Sequence, residues 1–505
     1  MLNLTPLVRP VFRRRAASAA LWADPEGMER TQRAVLARLL RRASGTVYGC
    51  RHAFGRLDSY EAYASAVPVV SYEDLRPEVM RMVGGERDVL WPGICRRYAQ
   101  SSGTSGGKSK YIPITDDSLR YNHYAGGAAA VAHYLALYPR SRLFGGKSFI
   151  LGGSFANELT GLERGVRVGD LSATLIDAIN PAVNLLRVPS KKIALMSDWS
   201  EKLPLLIERS LRSDITNISG VPSWFMTVLR GVMERAGTDR IHDVWPRLEV
   251  FFHGGISFEP YRSQYAAFCG PEMRYIENYN ASEGFFAVQD TREGGRMRLL
   301  PDIGVFYEFA PADGGAVVPA WKVEEGRVYS LLISAPNGLW RYAIGDTVRI
   351  ESVEPLRISI AGRTQSFINA FGEELMVWNA EAAMAEACAR TGASVANYTA
   401  APVYASCGTK GHHQWLVEWS HRPACGPEAF ADVLDAALQR VNSDYEAKRS
   451  GGIFLGRLEL TEVPAGTFDR WLASTGKLGG QRKIPRLAND RRIADTILQI
   501  MNCGL

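Results

Sequence analysis

The sequence contains few of the patterns that build metal centres or disulfide frameworks. Its seven cysteines are odd in number, lie far apart at positions 50, 95, 269, 388, 407, 425 and 503, and never occur in C-x-x-C spacing. The eight histidines form no H-E-x-x-H motif. A zinc site or a disulfide-stabilised fold is therefore not indicated, and the cysteines are typical of the reduced thiols of cytosolic proteins.

Long hydrophobic runs are also missing. No segment approaches the roughly 18 consecutive apolar residues that a transmembrane helix requires. The amino terminus places Arg13, Arg14 and Arg15 after its short apolar stretch, which is the reverse of the order in a secretory signal. We expect a cytoplasmic protein without a membrane partner.

Charge of either sign is not concentrated. The chain has 59 basic and 53 acidic residues, for a net charge of +6 over 505 residues. Nucleic-acid binding requires a concentrated basic stripe, so no nucleic-acid partner is expected. With 46% hydrophobic residues, the composition is that of a soluble chain long enough for two or three domains, and we expect a monomer.

The most distinctive stretch present is residues 101–107, in which every residue is a glycine or carries a hydroxyl group, followed by Lys108, Ser109 and Lys110. It separates two segments with strand character, residues 96–100 and residues 111–115. Glycines let backbone N–H groups converge, while hydroxyls and lysines add donors and charge, so the stretch can wrap a polyphosphate. A flexible Gly/Ser linker has a similar composition, but linkers seldom run into a strand with lysines at the junction.

The spacing of the glycines helps to distinguish between types of phosphate loop. A Walker P-loop requires a glycine five positions before Gly107, where this chain has Ser102. The alternative is the hydroxyl-rich loop of adenylate-forming enzymes, in which Ser and Thr side chains hold the phosphates of ATP and help to present a magnesium ion. Neither interpretation is specific on this stretch alone.

Strand-like runs that end in glycines alternate with helical patterns. Residues 148–151 precede Gly152-Gly153, residues 248–252 precede Gly254-Gly255, and residues 218–224 turn from a strand into a helix. This order predicts an open α/β sheet with a crevice at the carboxyl edge of its strands. Residues 299–350 are richer in short strands and predict a β-rich subdomain.

Helical spacing predicts helices over residues 24–42 and 116–138. A new α/β pattern follows position 363, with helices predicted over 379–390 and 427–442 and strands over 395–401 and 414–419. We therefore predict a large N-terminal domain over residues 1–364 and a small C-terminal domain over residues 365–505. The adjacent pair His412-His413 is assigned to a surface loop.

Three further stretches suit a magnesium nucleotide. Tyr279-Asn280-Ala281-Ser282-Glu283 follows an apparent strand over 275–277 and offers a ring that can stack on a purine and a carboxylate that can hold magnesium. Residues 341–346 end a strand in Gly345 and Asp346, and such an aspartate can accept from both hydroxyls of a ribose. Residues 479–486 place Lys483 in a glycine-led loop. Each group alone is more typical of a helix cap, a turn or a solvated side chain, and their joint occurrence favours a site.

Together these motifs resemble the acyl acid amido synthetases, the family that conjugates amino acids to plant hormones such as indole-3-acetic acid and that has bacterial relatives. Residues 101–107 are similar to the family's phosphate loop, residues 279–283 to its Tyr-x-Ser/Ala-Ser/Thr-Glu motif and residues 342–346 to its Tyr-Arg-x-Gly-Asp motif. The resemblance covers residues 30 to 500 and implies the adenylate-forming enzyme fold of firefly luciferase. The expected architecture is a large N-terminal α/β domain that includes a β-rich subdomain, followed by a small mobile C-terminal α/β domain.

The resemblance also implies ATP and Mg²⁺ as cofactors, with a small carboxylic acid and an amino acid or other amine as substrates. Thr104, Glu283 and Lys483 would be catalytic, with Glu283 at the metal. The nucleotide would be held by residues from five parts of the chain. The first three are Ser101, Ser102, Gly103, Thr104 and Ser105, then Gly254 and Gly255, then Tyr279, Ala281, Ser282 and Glu283. The other two are Asp346 and Arg363. Tyr121, Tyr124 and Trp224 are assigned to the acyl pocket, because they lie next to the phosphate loop or the sheet edge.

One departure from the family pattern stands out. Ala343 occupies the position where the family usually has an arginine, and Arg341 is expected on the same strand face two residues earlier.

Three alternative functions remain open. Transfer to a thiol would make the protein an acyl-CoA or carrier-protein thioester ligase. A P-loop NTPase would need the first glycine of its motif at position 102, where this chain has serine. A non-catalytic nucleotide-binding regulator would not need Glu283, Asp346 and Lys483 together.

Overall fold

The computed structural model describes residues 3–101, 110–155, 159, 165–256, 258, 261–363, 367–405, 410–452, 454–474 and 484–502. Within these ranges, the side chains of residues 263, 362, 363 and 473 are not described. The described residues divide into two compact units, one over 3–101 and 110–363 and the other from 367 onward. No helix among them is long and apolar enough to cross a membrane.

The first unit contains fourteen helices by the numbering adopted here. They are α1 (Thr5–Ser18), α2 (Pro25–Ala43), α3 (Val47–Arg51), α4 (Tyr60–Ala66), α5 (Tyr72–Val83), α6 (Asp116–Ser118), α7 (Tyr124–Leu137), α8 (Leu171–Ala178), α9 (Pro181–Asn184), α10 (Lys191–Ala194), α11 (Trp199–Leu211), α12 (Pro222–Ala236), α13 (Ile241–Val244) and α14 (Arg262–Phe268).

Fifteen strands belong to the same unit. They are β1 (Arg97–Ser101), β2 (Lys110–Pro113), β3 (Lys147–Ile150), β4 (Arg167–Gly169), β5 (Arg187–Val188), β6 (Ile215–Gly220), β7 (Val250–His253), β8 (Arg274–Ala281), β9 (Gly284–Val288), β10 (Met297–Leu299), β11 (Phe306–Pro311), β12 (Val318–Pro319), β13 (Val328–Ser334), β14 (Tyr342–Val353) and β15 (Leu356–Arg363).

Twelve of these strands form one sheet in the order β12-β11-β13-β14-β15-β10-β9-β8-β7-β6-β3-β5. From β5 to β8 the neighbours are parallel, and from β8 to β12 they are antiparallel. All four residues of β7 are buried, as expected for a parallel strand covered on both faces. The carboxyl ends of β3, β6, β7 and β8 therefore meet at one edge, where the sequence predicts a crevice.

A small second sheet has the order β2-β1-β4. Strands β1 and β2 are antiparallel, and Ser101 lies directly opposite Lys110. The two ends of the predicted phosphate loop are therefore held side by side, although residues 102–109 lie outside the described residues.

Helix α2 shows why the predicted helical pattern folds as it does. The Asp24 side chain accepts from the backbone N–H of Gly27 and caps the first turn. The residues that set the period, including Met28, Val35 and Leu39, are buried in the main hydrophobic cluster of the unit. The predicted helix over 24–42 is confirmed.

The helix predicted over residues 116–138 is interrupted. Helix α6 ends at Ser118, a π-helical turn covers Leu119–His123, and α7 follows from Tyr124. A π turn adds one residue to the helical repeat, so it rotates the residues that follow relative to those before it.

The second unit has a three-stranded sheet and a short ribbon. Its elements are β16 (Phe367–Ile368), β17 (Leu375–Met376), α15 (Val377–Thr391), β18 (Ser394–Val403), β19 (His412–His421), α16 (Pro427–Val441), α17 (Ser443–Arg449), β20 (Glu459–Val463), α18 (Thr467–Ser474) and α19 (Arg492–Asn502). The sheet order is β18-β19-β20. The four elements predicted between residues 379 and 442 are confirmed.

The assignment of His412-His413 to a surface loop is wrong. Both residues lie on β19, and His413 is completely buried with its Nε2 2.7 Å from Glu373 Oε1. The carboxylate of Glu373 also accepts from the backbone N–H groups of Ala370 and Phe371. The partner that draws His413 inward lies 40 residues earlier in the chain, where local pattern gives no sign of it.

Candidate active site

The site lies at the carboxyl edge of the parallel strands. At the end of β7, a β-carbon on Gly254 would lie 2.4 Å from the carbonyl oxygen of Asn278 on β8. The next residue, Gly255, has a φ of +84°, which side chains with a β-carbon rarely adopt. This glycine pair therefore lets the backbone turn sharply against the neighbouring strand and leaves the sheet edge open.

The second predicted motif forms the tip of a hairpin. Strand β8 continues to Ala281, four residues beyond the predicted strand over 275–277, and Ala281 pairs with Gly284 of β9. Ser282 and Glu283 are thus the two residues of a tight turn. Glu283 is 8% exposed, so its carboxylate is placed at the sheet edge and not in open solvent.

A buried hydrogen bond joins the second motif to the third. The hydroxyl of Tyr279 donates to Asp346 Oδ2 at 2.7 Å, and both residues are buried. The Tyr279 ring also contacts Phe286 edge-on, at 5.0 Å between centroids. Two groups that are 67 residues apart in the sequence are therefore brought into direct contact.

An irregular part of β14 sets the direction of the Asp346 side chain. Gly345 has a φ of +96°, and the pairing of β14 with β15 shifts register between Thr347 and Val348. Such bulges bend a strand and redirect its side chains. Arg363, the other predicted ribose residue, is the cross-strand partner of Asp346 in the register of β14 and β15.

Tyr342 lies between the phosphate-loop segment and the hairpin turn. Its hydroxyl is 3.5 Å from Lys110 Nζ and 3.4 Å from Glu283 Oε1. Both distances are longer than ordinary hydrogen bonds of these types, so the contacts are weak. They place Lys110, at the start of β2, near the carboxylate predicted to hold magnesium.

The expectation that Arg341 shares a strand face with position 343 is wrong. Strand β14 begins only at Tyr342, and Arg341 has a φ of +44°. Its guanidinium is buried against Glu308 at 2.9 Å, and it also donates to the carbonyl oxygens of Ala64 and Val67 at 2.8 Å each. Arg341 is therefore a core ion-pair residue and does not replace the arginine that the family usually has at position 343.

The three residues assigned to the acyl pocket have different surroundings. Tyr121 is 46% exposed, with the guanidinium of Arg120 over its ring. The Tyr124 hydroxyl donates to the carbonyl oxygen of Leu175 at 2.9 Å, and burial raises the pKa of Tyr124 to about 12. Trp224, near the start of α12, is buried with its ring edge-on to that of Trp199. Their assignment to an acyl pocket stays a prediction.

The histidines near the site are neutral at physiological pH. His253 ends β7, and burial, together with the positive charge of Arg262, lowers its pKa to about 3. Burial alone lowers the pKa of His123 in the π turn to about 4. These two histidines therefore supply no positive charge to a bound phosphate.

Several predicted site residues lie outside the described residues. These are Ser102, Gly103, Thr104 and Ser105 of the phosphate loop and Lys483 of the C-terminal loop. The positions of Ser101 and Lys110 fix only the two ends of the phosphate loop.

Two residues at the site were missed from the sequence. Asn122, in the π turn, and Asn337, in the connection before β14, both hydrogen-bond to the hairpin that carries Glu283. Local sequence gives no signal for either asparagine, because the hydrogen-bond partner of each is set by tertiary structure.

Comparison with known protein families decides which family has this arrangement. Residues 23–180 match the GH3 family N-terminal domain, residues 298–363 its central domain and residues 378–492 its C-terminal domain. The chain belongs to the GH3 family. The resemblance inferred from the motifs is thereby confirmed.

Plant proteins are among the relatives of this GH3 protein. A probable indole-3-acetic acid-amido synthetase, GH3.2 of Oryza sativa subsp. japonica, is 24% identical, and the match covers 91% of this chain and 88% of the relative. The indole-3-acetic acid-amido synthetase GH3.8 of Oryza sativa subsp. indica is 23% identical, with coverage of 91% and 88%.

Solved structures identify the fold of this GH3 protein. The AtGH3.15 acyl acid amido synthetase in complex with 2,4-DB aligns with a TM-score of 0.61 at 18% identity, covering 97% of this chain and 95% of that one. A 2-hydroxyisobutyryl-CoA ligase aligns with a TM-score of 0.58 at 15% identity, covering 94% and 93%. The predicted adenylate-forming enzyme fold is confirmed.

Proposed function

We propose that this GH3 protein is an ATP-dependent acyl acid amido synthetase. It would adenylate a carboxylic acid, transfer the acyl group to an amino acid or other amine, and release AMP and pyrophosphate. The observation that carries the proposal is the buried Tyr279–Asp346 hydrogen bond, which joins two nucleotide motifs at the carboxyl edge of the sheet. The GH3 relatives with amido synthetase names support the choice of reaction.

The chemistry follows from the weakness of carboxylates as acyl donors. Direct attack would have to expel oxide, and the carboxylate anion repels nucleophiles. Attack of the carboxylate oxygen on the α-phosphorus of ATP forms a mixed anhydride and expels pyrophosphate. An amine nitrogen then attacks the acyl carbon, loses a proton, and displaces AMP.

The chain's residues would hold the nucleotide by position and charge. Asp346 accepts from the ribose hydroxyls, with Arg363 opposite it, while Gly254 and Gly255 and the ring of Tyr279 bracket adenine. The phosphate groups would be bound by hydroxyls and N–H groups of residues 101–105 and by Ala281 and Ser282. Donors that are in place before the reaction stabilise the charge that develops on phosphate oxygens without reorganisation.

The residues present fit a magnesium ion bound together with ATP. Among the described residues, no group of three or more Asp, Glu, His or Cys side chains is arranged around a common point, which excludes a fully protein-built metal cage there. Magnesium bound with nucleotides uses one or two carboxylates and the phosphates themselves, and the oxygen donors of Glu283 meet that need. Magnesium held there would neutralise phosphate charge.

Thioester formation is the second candidate. The structural similarity to a CoA ligase supports it, because the same fold there serves a thiol acceptor. The motif variants favour the amide. We further propose that the protein acts in the cytoplasm, where the thiols of its five described cysteines would stay reduced. We also propose that it acts as a monomer.

The test of the function is acid-dependent exchange of pyrophosphate into ATP. Purified protein would be assayed with a panel of aromatic and aliphatic acids, and product masses would be measured after amino acids or CoA are added. Exchange supports adenylation, and the product mass decides between amide and thioester. If magnesium and ATP bind but no acid supports exchange, the proposed enzyme activity is wrong for that panel and a regulator is favoured.

Replacing Glu283 by glutamine should raise the Mg²⁺ concentration needed for half-maximal exchange by about tenfold, because the amide keeps the size of the side chain but loses its charge. A magnesium titration of the exchange rate measures this. Glu78→Gln is the matched control, since Glu78 is equally buried, at 8% exposure, but pairs with Arg51. Equal magnesium curves for both variants would contradict the metal role of Glu283.

Replacing Tyr279 by phenylalanine should raise the Kd for ATP by about fivefold, because the ring is retained while the hydroxyl that donates to Asp346 is lost. Calorimetric titration with ATP measures the change. Tyr307→Phe is the control, because this buried hydroxyl donates to the backbone carbonyls of Phe286 and Leu300 instead. The role of the Tyr279 hydroxyl is refuted if the two variants bind ATP equally well.

A further inference from the structure

Two buried asparagines hydrogen-bond to the hairpin that carries Glu283. Asn337 Nδ2 donates to the carbonyl oxygen of Glu283 at 3.1 Å. Asn122 forms a reciprocal pair with Phe285: its Nδ2 donates to the Phe285 carbonyl at 2.9 Å, and its Oδ1 accepts from the Phe285 N–H at 2.7 Å. The backbone is therefore fixed at Glu283 itself and two residues after it.

The π turn brings Asn122 close enough to form these bonds. Because α7 follows a π turn, its first residues lie directly on the start of β9, and a β-carbon on Gly126 would lie 2.3 Å from the ring of Phe285. A β-carbon on Gly284 would lie 3.0 Å from Asn122 Oδ1 and 2.8 Å from the ring of Phe286. The two glycines thus permit an approach that larger residues would prevent.

A third contact closes these bonds into a ring. Thr115, two residues after β2, caps the start of α6 by accepting from the N–H of Ser118, the last residue of that short helix, and donates its hydroxyl to the carbonyl oxygen of Pro336. Pro336 directly precedes Asn337. These bonds therefore link the segment that follows the phosphate loop to Glu283 through Thr115 and Asn337. Asn122 links the hairpin of Glu283 back to the same segment.

We propose that Asn122 and Asn337 are positioning residues that hold the Glu283 carboxylate in place for the metal-bound nucleotide. This inference rests on the proposed function, and specifically on Glu283 as a metal ligand. Asn122 and Asn337 act through the backbone and touch neither metal nor nucleotide. They also fix the distance between Glu283 and the segment that leaves the phosphate loop, so that both meet the same triphosphate.

The physical reason lies in the precision that a single carboxylate ligand needs. A binding group has to be held within about 0.5 Å of its productive position, and a glutamate side chain gains that precision only from a fixed backbone. Asn122 and Asn337 are 1% and 0% exposed, so their amides cannot exchange protein partners for water. Outer-shell partners of this kind typically affect metal affinity by about 10-fold to 100-fold.

A purely structural role is the competing explanation, and the chain offers a matched control for it. Gln32 is also fully buried, donates to the carbonyl oxygens of Pro301 and Val305 at 2.8 Å each, and accepts from the N–H of Tyr307 at 2.7 Å. Asn122 likewise makes three bonds, since its Nδ2 also donates to the carbonyl oxygen of Ile303 at 3.3 Å. The bonds of Gln32 match them in type and burial, but none of them is made directly to the hairpin that carries Glu283.

The experiment measures binding of Mn²⁺, a spectroscopic substitute for Mg²⁺, to the full-length protein saturated with a non-hydrolysable ATP analogue. Electron paramagnetic resonance gives the Mn²⁺ Kd, and thermal unfolding gives the loss of stability. N122L and N337L should each raise the Mn²⁺ Kd by about tenfold, whereas Q32L should change it by less than about twofold at a similar loss of Tm. The Kd for metal-free ATP should stay within about twofold in all three.

Glu283→Gln separates failure of this inference from failure of the proposed function. If E283Q leaves the Mn²⁺ Kd unchanged, the metal role of Glu283 is wrong. If E283Q weakens Mn²⁺ binding but N122L and N337L match Q32L, the positioning role is wrong. Adding N122L to E283Q should not raise the Mn²⁺ Kd further. If N122L raises the Kd of E283Q by as much as it raises that of the wild type, the inference is also overturned. Should N122L fail to fold, N337L and its double variant with E283Q carry the same comparison.

Discussion

Replacing Asp346 by alanine should raise the Kd for ATP by about 100-fold. Hydrogen bonds to a charged group contribute about 1.5 to 3 kcal/mol each, and this carboxylate is expected to accept from both ribose hydroxyls. At the lower end of that range, two such bonds lost together correspond to about two powers of ten in affinity. The side chain is buried and already orientated by the Tyr279 hydroxyl at 2.7 Å, so little ordering is needed on binding.

Calorimetric titration of each variant with ATP and with 2′,3′-dideoxy-ATP measures this effect. The wild type should bind the dideoxy nucleotide about as weakly as Asp346→Ala binds ATP, and the variant should no longer distinguish the two nucleotides. Glu351→Ala is the control, because Glu351 lies on the same strand but accepts from Ser359. An ATP affinity within about twofold of the wild type in Asp346→Ala would show that the ribose assignment is wrong.

The regular elements of the fold were predictable because local pattern dominates them. Helix α2 follows from apolar residues at helical spacing and from a capping aspartate, and α16 follows from the same kind of spacing between 427 and 441. The shared edge of the parallel strands was predictable because strands that end in glycines alternate with helical patterns in an open α/β sheet. Gly254 and Gly255 indeed follow β7 directly, and a β-carbon on Gly254 would lie 2.4 Å from the carbonyl oxygen of Asn278 on β8.

The site was predictable only as a set of motifs. Tyr279, Glu283 and Asp346 are each common in other roles, and their order along the chain made the interpretation specific. The contact between Tyr279 and Asp346 was not predicted, because β8 and β14 are not neighbours in the sheet and the bulge at Gly345 sets the direction of the carboxylate.

The errors share a physical cause, which is a partner far away in the sequence. Period-2 alternation placed Arg341 on the same face as position 343, but the ion pair with Glu308 and a positive φ take it out of the strand. Glu373 draws His413 into the core in the same way. The π turn at residues 119–123 likewise has a distant partner, because the Asn122 amide hydrogen-bonds to the backbone of Phe285.

Replacing Lys483 by alanine should slow adenylation by about 10²-fold to 10³-fold while leaving the Kd for ATP within about twofold, as expected for loss of one charge that acts mainly in the transition state. As the carboxylate approaches the α-phosphorus, two negatively charged groups come together, and a lysine ammonium lowers the energy of that encounter more than it stabilises bound ATP. The position of Lys483 lies outside the described residues, so this prediction rests on the motif and on the charge that the reaction requires.

The measurement for Lys483 separates the two half-reactions. Pyrophosphate exchange reports adenylation, and consumption of a chemically prepared acyl adenylate with an amine reports transfer. Lys483→Ala should lower the first rate and change the second by less than about threefold, because transfer needs no second anion at phosphorus. Lys477→Ala, in the same stretch of sequence, should match the wild type in both assays. Weakened ATP binding with a normal exchange rate at saturation would instead make Lys483 a ground-state phosphate contact, and the catalytic role would be refuted.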